Sequence, residues 1–361
     1  MTLTDLGWHA YFGAIWQDYA AQELIAARVV GQQRGLWRVA GNFAECWASA
    51  AGKLREDTER GSAWPVVGDW VAIQPLDADE RAVIHAVLPR RSQFVRKVAG
   101  KRVEEQVIAA NVDSALLVMA LDGDFNPRRL ERYLTQCWDS GARPVIVLNK
   151  ADACADTAAR LEKVERVSMG VPVIALSARS GDGVDALAEF LVQGQTLVLL
   201  GSSGVGKSTL LNRLLGRERQ SVREVREKDS RGRHTTTSRE LFALLNGALV
   251  IDTPGLRELQ LWGAAEGMMH AFADIEQLAA RGKFKNCGHE REPGCAVQAA
   301  IASGELDAAR LENLRKLRRE DEFLRRKIDP GARSAETHRV RKLMRGVRQM
   351  YEQREKDGGR R

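Results

Sequence analysis

The segment Gly201-Ser-Ser-Gly-Val-Gly-Lys-Ser208 sets two glycines five positions apart and follows the second with a lysine and a hydroxyl. Such spacing lets the N–H groups of Ser202, Ser203, Gly204, Val205 and Gly206 close around phosphate oxygens, helped by the helix start at Ser208 and Thr209. Lys207 then reaches the β and γ oxygens, and Ser208 supplies a hydroxyl to Mg²⁺. Asn149-Lys-Ala-Asp152 addresses a base. The Asp152 carboxylate accepts two hydrogen bonds, from guanine N1–H and the exocyclic amine, a pair that adenine does not offer; an acceptor left unpaired rejects the wrong base. The Lys150 stem lies against the ring beside the small Ala151, and Asn149 ties this loop to the phosphate loop. In Ser177-Ala178-Arg179 a backbone N–H faces guanine O6. Asp252-Thr-Pro-Gly255 offers a carboxylate to Mg²⁺ and, at Gly255, a γ-phosphate contact. Gly232-Arg-His-Thr-Thr-Thr237 carries threonines, Thr236 foremost among Thr235–Thr237, that bind Mg²⁺ only when a γ-phosphate is present. The alternative for that run is a strand entry.

The elements around these motifs must deliver them to one edge. Apolar runs at 115–120, 144–148, 171–175, 196–200, 240–245 and 248–251 read as strands, alternating with helices, one of which starts at Pro127 and ends near Gly141. This is the pattern of a mostly parallel sheet with helices on both faces, and ligands bind at the carboxyl edge of such sheets. Before it, five short strand-like runs between Leu24 and Leu88, broken by Gly41-Asn42 and by residues 52–61, fit a small barrel of the OB kind. An SH3-like barrel would give a similar pattern. Residues 1–32 read as a lead-in arm anchored by Trp8, Tyr11, Phe12 and Trp16. After residue 263 the chain reads as helical, with Leu311, Leu314, Leu317, Leu324 and Ile328 in one stripe and Val340 to Tyr351 in a second. The divisions expected are 1–32, 33–104, 105–262 and 263–361. The fold class is therefore a multidomain α/β chain: an OB-like barrel, a central nucleotide-binding domain and a C-terminal helical domain.

Motif order carries its own information. In an ordinary small GTPase the phosphate loop comes first and the base loop late. Here the base loops stand at 149 and 177, ahead of the phosphate loop at 201. The order is that of a circularly permuted GTPase, and Asp252–Gly255 now leads directly into the C-terminal domain, which nucleotide state can move.

With the barrel in front, this order, and a Cys/His segment behind, the chain resembles the ribosome small-subunit-dependent GTPase A family of bacterial assembly factors. The resemblance covers about residues 20 to 350. It rests on Gly68-Asp-Trp-Val71, the stretch from Glu105 to Asp113, the motifs above, and Cys287-Gly-His289 with Glu292-Pro-Gly-Cys295. It implies GTP hydrolysis stimulated by the small ribosomal subunit and a checkpoint late in that subunit's maturation. It also implies Zn²⁺ on Cys287, His289 and Cys295, one ion per chain. The family's first zinc ligand is a cysteine, and this chain has Gly282 there, which leaves the fourth ligand open because structural zinc sites are four-coordinate. His270 and Asp274 are candidate substitutes; a metal-free loop is the alternative.

Charge points to the same partners. The 361 residues carry a net +7, yet residues 310–361 hold 18 Lys and Arg against 9 Asp and Glu, so a near-neutral body bears a basic tail. That asymmetry suits a polyanion, and rRNA is the partner expected. The same features would suit a GTP-regulated RNA-binding protein unconnected with ribosomes; a switch for a protein partner would leave the tail unexplained. Five scattered cysteines, no secretory start and no apolar run near ~18 residues lead us to expect a cytoplasmic monomer with no membrane contact.

Catalysis has an open place. Ras-like enzymes orient the attacking water with a glutamine after D-x-x-G. Here Leu256 stands in that position, and Gly204 replaces the asparagine with which other enzymes hold K⁺. His234, beside the threonines, is the candidate for positioning water, an assignment the family resemblance favours; an rRNA-facing histidine is its alternative.

Overall fold

Five runs of small and β-branched residues form β1 (Ile25–Gln33), β2 (Leu36–Gly41), β3 (Phe43–Ala50), β4 (Trp70–Leu76) and β5 (Arg81–Val87). In the computed structural model, which describes residues 1–20, 22–33, 35–59, 64–76, 81–98, 104–216, 239–252 and 264–328, they close into a barrel. β1 pairs with both β2 and β4, β2 with β3, and β5 with β4, all antiparallel, while β3 and β5 run parallel. That ring, with helix α2 (Gly52–Glu59) between β3 and β4, is the OB arrangement. The sequence reading takes residues 52–61 as punctuation only, because Lys53, Arg55, Glu56 and Asp57 surround Leu54, the one buried side chain among the described residues of α2. The first barrel strand starts at Ile25, where the strand-like run from Leu24 is expected, and runs to Gln33, across the division expected at residue 32; the arm's own helix, α1, spans Ala10–Ala20.

A hairpin of β6 (Gln93–Val98) and β7 (Glu104–Ala110) leads into the central sheet. β8 (Ser114–Ala120), β9 (Arg143–Asn149), β10 (Val173–Ala175), β11 (Thr196–Leu200) and β13 (Leu249–Asp252) pair in parallel in the order β10-β9-β8-β11-β13. β8 is buried along its whole length, as the middle of a two-faced parallel sheet requires. β12 (Arg239–Ala243) is antiparallel to β13 and joins the sheet to the barrel by pairing with β1, Gly31 opposite Glu240. Helix α3 (Pro127–Ser140) shows why sequence alone locates it. Asn126 caps the amides of Arg128 and Arg129, proline opens the first turn, and Gly141 closes the helix at φ 82°. α4 (Thr157–Ser168) and α5 (Lys207–Leu214) complete the layer.

A buried junction fixes the barrel on the sheet. The Arg28 guanidinium donates to the carbonyls of Leu6, Gly68 (3.3 Å) and Asn111 (3.2 Å), so arm, barrel and central domain share one cation. Asn111 Nδ2 also donates to Gly68 O at 3.0 Å. Gly68 has φ 95°, and a Cβ there would stand 2.1 Å from Ala110 O; only glycine permits this approach.

Of the C-terminal helices α6 (Ala265–Ala271), α7 (Ala273–Ala280), α8 (Ala296–Ser303) and α9 (Ala308–Ile328), α6 and α9 pack on α3, and α7 packs against α6 and α8. Leu311, Leu314, Leu317 and Leu324 are buried as their spacing predicts. Between α3 and α9 lies a buried ion pair: Arg310 donates to Glu131 Oε1 at 2.8 Å and to both Asp274 oxygens at 2.7 and 2.8 Å. Removing one member would strand a desolvated charge, at a cost of ~3–5 kcal/mol. Asp274 is thus committed to Arg310. His270 lies against Trp138 at 5.4 Å between ring centroids. Among the described residues the grouped metal-ligand side chains are Cys287, His289 and Cys295, and neither expected substitute joins them. His234, Thr236, Gly255, Leu256, the switch run 232–237 and the tail beyond Ile328 lie outside the described residues.

Reduced solvation and the nearby Asp321 and Glu266 carboxylates push the Asp139 pKa up to about 6, partly opposed by the Gly267 N–H. Folded chain therefore holds this proton up to higher pH than unfolded chain, and the group's stabilising effect is lost as pH rises from about 4 through 6. Asp139→Asn should raise the melting temperature at pH 8 by about 1–2 °C and change nothing at pH 3.5; the magnitude is small because the residue still meets solvent. Parallel melting curves at the two pH values check it.

Candidate nucleotide-binding site

Parallel pairing brings the carboxyl ends of β9, β11 and β13 to one edge, each carrying a sequence-predicted motif. β11 ends at Leu200, and α5 starts at Lys207, so the intervening loop opens onto a helix N-terminus. Lys207 Nζ donates to Gly201 O at 2.6 Å and Ser202 O at 2.5 Å, which holds the ammonium over the loop it belongs to. Val205 is buried beneath the loop, while Ser203, Gly204 and Thr209 are exposed and Ser208 is half-buried.

Asn149, at the end of β9, is 2% exposed and links three loops. Its Nδ2 donates to Val205 O at 2.8 Å; its Oδ1 accepts from Lys150 N at 2.8 Å and Ala178 N at 2.9 Å. Gly206 (φ 95°) is the counterpart of this contact, since a Cβ there would lie 2.2 Å from Asn149 Nδ2. Lys150 is left-handed at φ 65°, turning the chain into the short helix Ala151–Ala153 that presents an exposed Asp152. The segment Ser177 to Arg179 stands beside it. Ser177 and Ala178 are buried, and Arg213 from α5 donates to Ala178 O at 2.8 Å and Arg179 O at 2.6 Å. Asp252 ends β13, one strand from the phosphate loop.

Sequence reasoning passed over several positioning groups. Asp122, just after β8, accepts from Lys150 Nζ at 2.7 Å; Lys150 and the Asp124 N–H hold its carboxyl below the usual range. From α3, Arg129 donates to Ser202 Oγ at 2.8 Å and to Asp124 at 2.6 Å, and the Tyr133 hydroxyl lies 3.3 Å from Ser202 Oγ. The carboxyl-edge rule could have flagged Asp122; no sequence pattern marks Arg129.

Comparison with known proteins settles the lineage. A sequence model described as RsgA GTPase matches residues 87–262. The small ribosomal subunit biogenesis GTPase RsgA of Opitutus terrae is 46% identical over 96% of this chain and 97% of its own. The chain belongs to the RsgA GTPase family. RsgA of Syntrophotalea carbinolica is 47% identical over 89% of this chain and 90% of its own. Among solved structures, YjeQ from Thermotoga maritima covers 81% of this chain and 97% of its own, with TM-score 0.62 and 26% identity. A structure reported as YloQ, a circularly permuted GTPase, superposes with TM-score 0.59 over 84% of this chain and 97% of its own; its 24% identity speaks for the fold. As a member of the RsgA GTPase family, the chain is a GTP-hydrolysing enzyme on a permuted fold.

Within this RsgA GTPase, residues 282–295 form a compact loop between α7 and α8. Cys287, His289 and Cys295 bring their ligand atoms within 4.8 Å of one another, with His289 Nδ1 3.4 Å from Cys295 Sγ. Glu292 braces the loop by accepting from Gly288 N at 2.7 Å and Glu290 N at 2.8 Å; these amides and its own N–H hold its pKa down to about 2. Gly282 sits where a Cβ would lie 3.2 Å from Ala279 O, 3.7 Å from Ala296 N and 3.9 Å from Gly294 O, the last two on either side of Cys295. Two thiols and an imidazole, so grouped, are the donor set zinc prefers, with one position left to fill.

Proposed function

We propose that this RsgA GTPase acts in small ribosomal subunit biogenesis, hydrolysing GTP as a late checkpoint whose turnover the subunit stimulates. The observation that carries the nucleotide assignment is the Asn149 amide, which joins base loop, Ser177–Arg179 loop and phosphate loop in one hydrogen-bonded unit. In this reading Asp152 pairs with guanine N1–H and the exocyclic amine, the Lys150 stem covers the ring, and Ala151 leaves room for it. Because the Ala178 N–H is committed to Asn149, the base-facing amide in this reading is that of Arg179. Gly201 to Gly206 wrap the phosphates, Lys207 neutralises the β and γ oxygens, and Ser208 and Thr209 open the helix toward them. Ser208 and Asp252, with Thr236 when GTP is present, are the residues that would hold Mg²⁺. Bound there, Mg²⁺ offsets charge building on the transferred phosphoryl group. Gly255 is assigned to the γ-phosphate, and His234 to the attacking water. The names of the curated relatives support GTP, GDP and the small subunit as partners. The basic stretch 310–361 supports rRNA contact, and a cytoplasmic monomer fits this role. Among the described residues no helix is long and apolar enough to cross a membrane.

Purified small subunits should raise the GTP turnover of the full chain well above its unaided rate, and His234→Ala should lose most of that increase while binding GTP nearly normally. No stimulation by the subunit would refute the checkpoint role; normal stimulation of the mutant would remove His234. Asp152→Asn should weaken GTP use and admit xanthosine triphosphate, whose 2-carbonyl accepts a bond from the new amide. An unchanged preference between the two nucleotides would take Asp152 out of the base pocket.

We further assign Zn²⁺, one per chain, to Cys287, His289 and Cys295. Elemental analysis should find close to one zinc, and Gly282→Cys should slow its loss to a chelator, since the new side chain starts beside Cys295. A zinc-free chain whose melting is untouched by added zinc would argue for a loop held by Glu292 and packing alone.

A further inference from the structure

Ser202 is the second residue of the phosphate loop and is held from two directions. Its carbonyl accepts from Lys207 within the loop, and its hydroxyl accepts from Arg129, which belongs to α3 and lies 73 positions away in sequence. The same Arg129 nitrogen donates to Asp124 Oδ2 at 2.6 Å, and this carboxylate raises the guanidinium's proton affinity. Asp124 in turn is tied back: its N–H donates to Asp122 Oδ1 at 2.9 Å, and Asp122 Oδ2 takes the Lys150 ammonium at 2.7 Å. Asn126 fixes where the guanidinium starts by capping Arg129's own amide at 3.3 Å. A continuous polar chain thus runs from Lys150 in the base loop, through the β8–α3 connection, to Ser202 in the phosphate loop. It is separate from the Asn149 link, which joins the same two loops underneath through Val205 O.

We propose that Arg129 is a positioning residue of the phosphate loop, bracing Ser202 from α3 so that the loop keeps the path its amides need to surround a nucleotide's phosphates. The proposal rests on reading Gly201–Ser208 as that phosphate loop. The physical reason is preorganisation: exposed Ser203 and Gly204 have no packing of their own to fix them, so their amides point inward only if the flanking residue stays put. Arg129 acts through Ser202, so its loss should affect every nucleotide that carries a β-phosphate and leave base choice alone.

The test is titration of the full chain with a fluorescent GDP and a fluorescent GTP analogue. Arg129→Ala should weaken both about three- to tenfold, the effect of one partly exposed charge-assisted hydrogen bond, while guanine remains preferred over inosine as in the parent. Arg129→Lys, which still donates to a hydroxyl, should recover part of the loss. Ser202→Ala leaves α3, its cap and the Arg129–Asp124 pair intact, so it stays informative even where Arg129→Ala folds poorly. It should give at least that loss, since it also removes the Tyr133 contact, and the double variant should lose no more than Ser202→Ala alone. Unchanged affinity in Ser202→Ala, or additive losses in the double variant, would overturn the brace. Lys207→Ala separates the two assignments. If it abolishes binding while Arg129→Ala and Ser202→Ala bind like the parent, only the brace fails; if it binds like the parent, the phosphate-loop reading fails and the brace with it.

Discussion

One buried amide holds the functional architecture together. Asn149 is nearly inaccessible, yet each of its side-chain atoms is used: the nitrogen on Val205 O, the oxygen on the N–H groups of Lys150 and Ala178. Three loops far apart in sequence meet there, and each gives up a backbone group that would otherwise be buried unpaired, at ~1–3 kcal/mol apiece. The position tolerates little else. Aspartate would lose the donor to Val205 O, and any side chain at Gly206 would collide with the amide. The base loop and the phosphate loop are therefore shaped jointly, before any ligand arrives.

This explains why the order of motifs along the chain is free to change. A parallel sheet fixes its loops by strand neighbours, and the order β10-β9-β8-β11-β13 places base loop, phosphate loop and Asp252 side by side whichever strand comes first. Permutation moves the chain's entry point instead. The central domain is entered from the barrel through the β6–β7 hairpin, and the barrel needs an anchorage that a free terminus would not. Arg28 and Asn111 provide it, by joining carbonyls from arm, barrel and sheet around Gly68. The stretches Gly68–Val71 and Asn111–Asp113, striking in the sequence only as a family resemblance, have a mechanical meaning: they are the two sides of this joint.

What the sequence showed and what it hid divide along physical lines. The six central strands, the start and stop of α3, and the barrel were readable because they depend on local signals: two-faced apolar runs, Asn126-Pro127, Gly141, and short strands between polar breaks. The gathering of Lys207, Asn149 and Asp152 at one sheet edge was readable because motif spacing and the parallel-sheet pattern encode it. Contacts between distant elements were not. Nothing near Arg129 announces Ser202, nothing near Asp122 announces Lys150, and the engagement of the Ala178 amide by Asn149 is visible only in three dimensions. Helix α2 was hidden because its mean polarity outweighs its one buried leucine. Asp274 looked like a spare ligand until Arg310 claimed both of its oxygens.

Helix α3 gives the permuted order its mechanical consequence. One part of it faces the phosphate loop through Arg129 and Tyr133; another carries Glu131, locked to Arg310, and Arg132, paired with Glu320 at 2.5–3.0 Å. The C-terminal helices thus rest on the same rigid rod that touches Ser202. They are also tied to the other side of the site, because the chain leaves β13 at Asp252 and returns at Ala264, whose N–H donates to Asp321 of α9 at 3.2 Å. In an unpermuted order further strands would follow Asp252 and absorb its movement within the sheet. Here the next described element is the C-terminal unit itself. The buried Glu131–Arg310 pair resists sliding of α9 on α3, because shifting it exposes one charge without its partner.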